Sequence, residues 1–260
     1  MISAQQVTYQ SLFDKAMSYV KEDSLQQAEM YFRDAMKMEP TNPHNALIFS
    51  NIGNIQTRAG KRKKAIESYS LALNTMPDLA EAIRQRAALY IQENDYDKAF
   101  IDYCHLLDID ANDTEALLYR AFIYKSRRNY KQARADYESL LRIKPDHVEG
   151  NLGLALLDQK EKRFREAMDI INLLVEKNAE NSVFYSARAD IEVDMDKPDL
   201  ALLDLSEAIK WNSSNSDNYI ARAQIYVNQK KKALAKKDLD KAVSLGVPKP
   251  SLKDLYDACK

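Results

Sequence analysis

The apolar positions of this chain keep a helical rhythm. In Thr114–Ser126 the residues Leu117, Ala121 and Tyr124 fall at i, i+4 and i+7, and in Tyr130–Ile143 the residues Ala133, Tyr137, Leu140 and Leu141 continue it. Each stripe predicts one amphipathic helix, and the polar SRRN between them predicts a short connection. Capping residues mark where first helices start: Asp113-Thr114, Asn181-Ser182 and Asn215-Ser216. Pro40, Pro77 and Pro145 fall where second helices must stop, whereas Pro198 sits in the first turn of a helix, where proline is tolerated.

The helix pair recurs. Steps of 34 from Ala99 reach Ala133, Ala167, Ala201 and Ala235 in one direction and Ala65 in the other, and three residues more reach Ala28. Twelve places earlier lies a second small column: Ala16, Gly53, Ala87, Ala121, Ala155, Ala189, Ala223. Four places after the first lies a large one: Phe32, Tyr69, Tyr103, Tyr137, Ile171, Leu205, Leu239. Small residues let helices approach and large ones fill the space beside them, so the columns predict identical helix pairs that bury their faces only by stacking.

The period and these columns resemble the tetratricopeptide repeat family. The resemblance places seven units at 9–42, 46–79, 80–113, 114–147, 148–181, 182–215 and 216–249, with an N-terminal extension at 1–8, an insertion at 43–45 and a capping helix at 250–260. It implies an all-α, right-handed superhelical solenoid whose concave groove is lined by the first helix of each unit. Departures from the family pattern are Ala111, Ala179, Ser213 and Val247 at the proline position. The usual tryptophan early in the first helix is also absent; Leu12, Phe49, Ile83, Leu117, Asn151, Tyr185 and Tyr219 stand there.

Taken with the resemblance, first-helix residues off the buried columns are the candidate groove: Ile91, Leu118, Tyr119, Phe122, Leu152 and Leu156, with Arg84, Gln85 and Ala88 beside them. An apolar stripe on such a face suits an extended or helical peptide, so the expected function is a non-enzymatic scaffold that binds a partner protein or peptide. In the sixth unit the same surface offers Ser186, Asp190, Val193 and Asp194. The clamp by which some family members grip a chaperone's C-terminal carboxylate needs two Lys, two Asn and an Arg; only Asn54 matches, and Gln85, Glu115 and Tyr119 stand at the other places, which argues against that ligand. Most tyrosines fall in core columns, Tyr130 among them, and Trp211 shares a column with Met38, Ile109, Ile143 and Leu245 and is expected in the core. Tyr9, Tyr31, Tyr119 and Tyr256 are left as candidate exposed contacts.

Charge adds one feature. The turns within pairs carry Lys61, Arg62, Lys63 and Lys64, then Arg127 and Arg128, then Lys162 and Arg163 within KEKRFR, then Lys230, Lys231 and Lys232. The connections between pairs carry acidic residues such as Asp78, Asp110, Asp146 and Glu180. A basic edge could meet an anionic partner or support self-association, and an RNA-binding helical repeat using that edge is the alternative function. A formal net charge of −1 over 260 residues argues against a dedicated nucleic-acid binder.

His44, His105 and His147 are dispersed, and no HExxH, CxxC or glycine-rich phosphate loop occurs, so neither catalysis, cofactor nor metal is expected. Cys104 and Cys259 lie more than four units apart and are expected as free thiols. No apolar run is long enough to insert in a membrane. The N-terminus lacks a signal-peptide pattern, which favours a cytoplasmic protein; Ser3-Ala4 as a processing scar would instead indicate export to the periplasm.

Overall fold

The computed structural model describes residues 7–260, so the expectation for Ser3-Ala4 lies outside the described residues. Those residues are helical throughout, and the helices come in tandem pairs. They divide into two compact units, the first ending at Ile123 and the second beginning at Tyr124.

The first unit holds α1 (Tyr9–Lys21) with α2 (Leu25–Met38), α3 (Asn45–Arg58) with α4 (Arg62–Thr75), and α5 (Ala80–Gln92) with α6 (Tyr96–Ile109). The unit boundary falls inside α7 (Thr114–Ser126). The second unit continues with α8 (Tyr130–Ile143) and pairs α9 (Val148–Lys160) with α10 (Phe164–Lys177). It then pairs α11 (Ser182–Asp194) with α12 (Pro198–Trp211) and α13 (Ser216–Asn228) with α14 (Lys232–Ser244). A 3₁₀ turn (Lys249–Leu252) leads into α15 (Lys253–Ala258), which packs on α13 and α14 and buries Leu252.

The caps lie where the side chains allow them. Asp113 Oδ1 accepts from the backbone N–H of Ala116 at 2.9 Å, Asn181 from Val183 at 3.0 Å and Asn215 from Asp217 at 3.0 Å. Pro198 occupies the first turn of α12. Each turn within a pair uses one left-handed residue: Asp23, Gly60, Asn94, Arg128, Lys162, Asp196 and Lys230, with φ from 57° to 71°. Only glycine adopts that conformation freely, so the Arg and Lys turns carry strain. Lys162→Gly is expected to stabilise the second unit by about 0.5–1 kcal/mol, net of the added freedom of the unfolded chain, and a urea titration would read it.

The small columns are the contact planes between helices. Every alanine of the first column is fully buried, as are Phe32, Tyr69 and Tyr103 in the large column. At Gly53 an added Cβ would sit 2.6 Å from the Tyr69 ring, whose hydroxyl donates to Asn54 Oδ1 at 2.7 Å; the ring lies directly on the glycine backbone.

A second periodic device ties the pairs. In the first unit Arg86 on α5 binds Asp102 on α6 with two hydrogen bonds, 2.9 and 2.7 Å, and donates to Ser70 Oγ on the preceding α4 at 3.0 Å. In the second unit Arg188 joins Asp204 (2.6 and 2.7 Å) to Asn172 (3.0 Å), and Arg222 joins Asp238 (2.7 and 2.8 Å) to Ser206 (3.1 Å). Each guanidinium thus fastens its own partner helix and the second helix of the pair before it.

Two sequence expectations are corrected. Trp211 is 39% exposed, with the Lys210 ammonium 5.1 Å from its ring centroid. It is the last residue of α12, and Met38, Ile109 and Ile143 likewise end their helices and are exposed, because a helix's final residue projects past the neighbouring helix. Tyr9 is buried, and its hydroxyl donates to Asn45 Oδ1 at 3.2 Å.

Candidate functional site

The candidate groove residues divide between the two units. In the first, Arg84 is held by Asp113 at 2.8 Å and Glu115 at 3.6 Å, and Gln85 donates to Glu81 at 3.0 Å. Tyr119 stacks on Tyr103 with ring centroids 5.3 Å apart, and Phe122 meets Tyr96 edge-on at 5.9 Å. Ile91 and Leu118 are half-buried. In the second unit Leu152 and Leu156 pack half-buried against the cluster of Ala167, Ile171, Leu174 and Phe184.

Leu156 also lines a cleft of about 690 Å³ formed within the second unit. Its walls are Lys125, Ser126, Arg128 and Tyr130, then Leu156, Gln159 and Lys160, then Asp190, Val193 and Asp194. The cleft therefore brings together Leu156 of the predicted apolar stripe, Asp190, Val193 and Asp194 of the surface expected in the sixth unit, and Arg128 of the predicted basic edge. The other basic-edge residues, Lys61, Arg62, Lys63, Lys64, Arg127, Lys162, Arg163, Lys230, Lys231 and Lys232, are exposed on their turns. Arg62 lies 3.5 Å from Glu93, and Arg163 lies 3.2 Å from Glu166.

The cleft carries both signs of charge. Burial pushes the Lys125 ammonium below its ordinary range, and the like charge of Lys160 pushes it further. Burial raises the Asp190 carboxyl, Asp194 raises it further, and Lys160 opposes both. Gln159 is buried and donates to Asp194 Oδ2 at 2.7 Å, which fixes one aspartate. Leu156, Val193 and Tyr130 supply apolar surface in the same cleft. Such an arrangement can hold a dipolar, partly apolar chain. Among the described residues no group of three or more His, Cys, Asp or Glu could hold a metal ion.

Lys125 and Gln159 were missed in the sequence, and Tyr130 was placed in the core. The signal was present: Lys125, Gln159 and Val193 continue the column of Ile91 at steps of 34, and Asp190 continues that of Phe122 and Leu156. A search for apolar residues passes over that column once it turns polar.

Known proteins carry the same architecture. Tetratricopeptide repeat models match residues 124–191 and residues 9–42, 80–113 and 216–245. A tetratricopeptide repeat protein from Parabacteroides merdae is 31% identical, covers 96% of this chain and 98% of its own, and superposes with a TM-score of 0.76. YrrB, described as having an unusual peptide-binding site, is 14% identical, covers 77% of this chain and 97% of its own, and has a TM-score of 0.60. The Cut9–Hcn1 hetero-tetramer of the APC/C is 14% identical over 95% of this chain and 55% of that one, with a TM-score of 0.70. The CTR9 homolog of Arabidopsis thaliana is 28% identical over 90 residues, 34% of this chain and only 8% of that protein's length. Among the described residues no helix is long and apolar enough to cross a membrane. With family models covering more than half of its length and a relative 31% identical end to end, the chain belongs to the tetratricopeptide repeat family.

Proposed function

We propose that this chain is a non-enzymatic scaffold that holds an extended segment of a partner protein in the cleft of its second unit. The tetratricopeptide fold is in general a protein-interaction scaffold. The observation that carries the finer reading is the cleft itself: Leu156, Val193 and Tyr130 line it together with Lys125, Lys160, Asp190 and Asp194. Burial disfavours the charged forms of Lys125 and Asp190, and a ligand group of opposite sign beside either one favours its charge. The fitting segment carries an acidic side chain toward Lys125 and Lys160, a basic one toward Asp190 and Asp194, and an apolar residue between them. The two aspartates oppose a nucleic-acid phosphate at this place. The half-buried Ile91, Leu118, Tyr119 and Phe122 of the first unit, with Arg84 and Gln85 beside them, and Leu152 of the second are offered as further contacts for the same class of partner.

Capture of partners from the native organism's extract tests the reading. A Leu156→Glu/Val193→Glu variant, shown by circular dichroism to be as helical as the parent, is expected to lose its partner by at least about tenfold. A Leu118→Glu/Phe122→Glu variant run beside it reads the first unit separately. Equal capture by the parent and both variants would sink the apolar-contact reading.

A further inference from the structure

Apolar side chains also break the polar outer surface of the second unit. Leu203 is 66% exposed, and Leu200 and Leu234 are each 46% exposed. Leu200 and Leu203 share a face of α12, three residues apart, and Leu234 lies on α14 one 34-residue step from Leu200. The two helices are neighbours there, because the guanidinium of Arg222 reaches Ser206 on α12 and Asp238 on α14. Leu203 precedes Ser206 by three residues and Leu234 precedes Asp238 by four, so all three leucines lie within about two turns of the place where Arg222 bridges the two helices. None of them lines the cleft.

The rim of the patch has two signs. On α12 the leucines are flanked by Asp199 and Glu207. On α14 and the turn before it Leu234 is flanked by Lys230, Lys231, Lys237 and Lys241, all exposed. An apolar centre with a charged rim is the anatomy of a protein interface, and a surface acidic on one helix and basic on the next complements itself.

We propose that this surface binds a second copy of the same chain. A two-fold axis running along the furrow between α12 and α14 lays α12 of each copy on α14 of the other, with the helices parallel. Leu200 and Leu203 then meet the other copy's Leu234. The repeat register brings Glu207 to the level of Lys241, and Asp199 to the turn that carries Lys230 and Lys231. Each contact occurs twice, as a closed dimer requires.

Sedimentation and light scattering of the full chain, from about 2 to about 200 µM, test this. The parent is expected to move from monomer toward dimer across the range, and to dissociate more readily in high salt. Leu203→Glu is expected to raise the dissociation constant at least about tenfold. Glu207→Lys and Lys241→Glu are each expected to weaken association, and the double exchange to restore it, since it rebuilds both pairs with reversed sign. Circular dichroism of every variant checks that the helices remain. A parent that stays monomeric throughout, a dimer unmoved by Leu203→Glu, or a double exchange no tighter than either single overturns the proposal. Partner capture through the cleft can succeed or fail independently of any of these.

Discussion

Arg86→Ala is expected to destabilise the first unit by about 3 kcal/mol, and Asp102→Ala by less, in urea titrations followed by circular dichroism. The difference comes from what each substitution leaves behind. The Asp102 side chain is only 4% exposed and makes two hydrogen bonds to Arg86, so losing the guanidinium strands a buried carboxylate. The Arg86 side chain is 20% exposed and keeps Ser70 as an acceptor, so it can turn toward water when Asp102 is gone. The same argument says that removing both charges together is mild. The chain already contains that double change: two steps further along, Leu154 stands in the arginine column and Ile170 in the aspartate column. Arg86→Leu/Asp102→Ile is therefore expected to lie within about 1 kcal/mol of the parent, because a buried ion pair and a well-packed apolar pair are nearly equivalent in energy. A double variant as unstable as Arg86→Ala would mean that Ser70, or the fit of the guanidinium, matters more than charge compensation.

This ion-pair column marks the limit of what was legible in the sequence. The helix pairs and their small and large columns could be read because close packing restricts size, and size survives in residue type. Ala99 and Tyr103 announce their burial by what they are. Arg86 does not, since an arginine ordinarily reads as surface; only its recurrence at 120, 188 and 222, sixteen places before an aspartate each time, separates it from a solvated charge. The candidate site was half legible for a related reason. Leu156 shows itself by its apolarity, whereas Lys125 and Gln159 line the same cleft as polar side chains near the ends of first helices, which their residue types do not announce. Trp211 failed in the other direction: its type spoke for the core, and its place at the end of α12 overruled type. Conformation was hidden as well, since nothing in the residue types of Arg128, Lys162 or Lys230 signals a left-handed turn.

The column of Tyr19, Tyr90, Tyr124 and Tyr226 gives the second large effect, because at its fifth and sixth places it carries Asp158 and Glu192. Both are buried. Asp158 is compensated by Arg134 at 2.5 Å and Arg163 at 3.6 Å. Glu192 is compensated less: its Oε2 has no hydrogen-bond partner among the described residues, its side chain meets the Asp204 carboxylate, Arg188 binds Asp204, and only the charges of Arg188 and Lys197 oppose its shift. Burial first, and the Asp204 carboxylate next, push Glu192 up to about 7, against the pull of Arg188. A carboxyl that holds its proton more tightly folded than unfolded favours the fold at low pH. That contribution is complete below the unfolded value of about 4.5 and is lost as pH rises through about 7. The loss is on the order of a few kcal/mol. Glu192→Gln keeps the shape and removes the titration, so parent and variant are expected to be equally stable near pH 4.5 and to separate as the pH rises. By pH 8 the variant is expected to be the more stable by about 2–3 kcal/mol in urea titrations. Using the difference between the two proteins cancels the groups that do not touch Glu192, including Asp190 and Lys125 in the cleft, and leaves Glu192 with its Asp204 neighbour. If the two stability profiles run parallel from pH 4.5 to 8, Arg188 neutralises both Asp204 and Glu192, and the sixth pair contains a balanced triad in place of a strained acid.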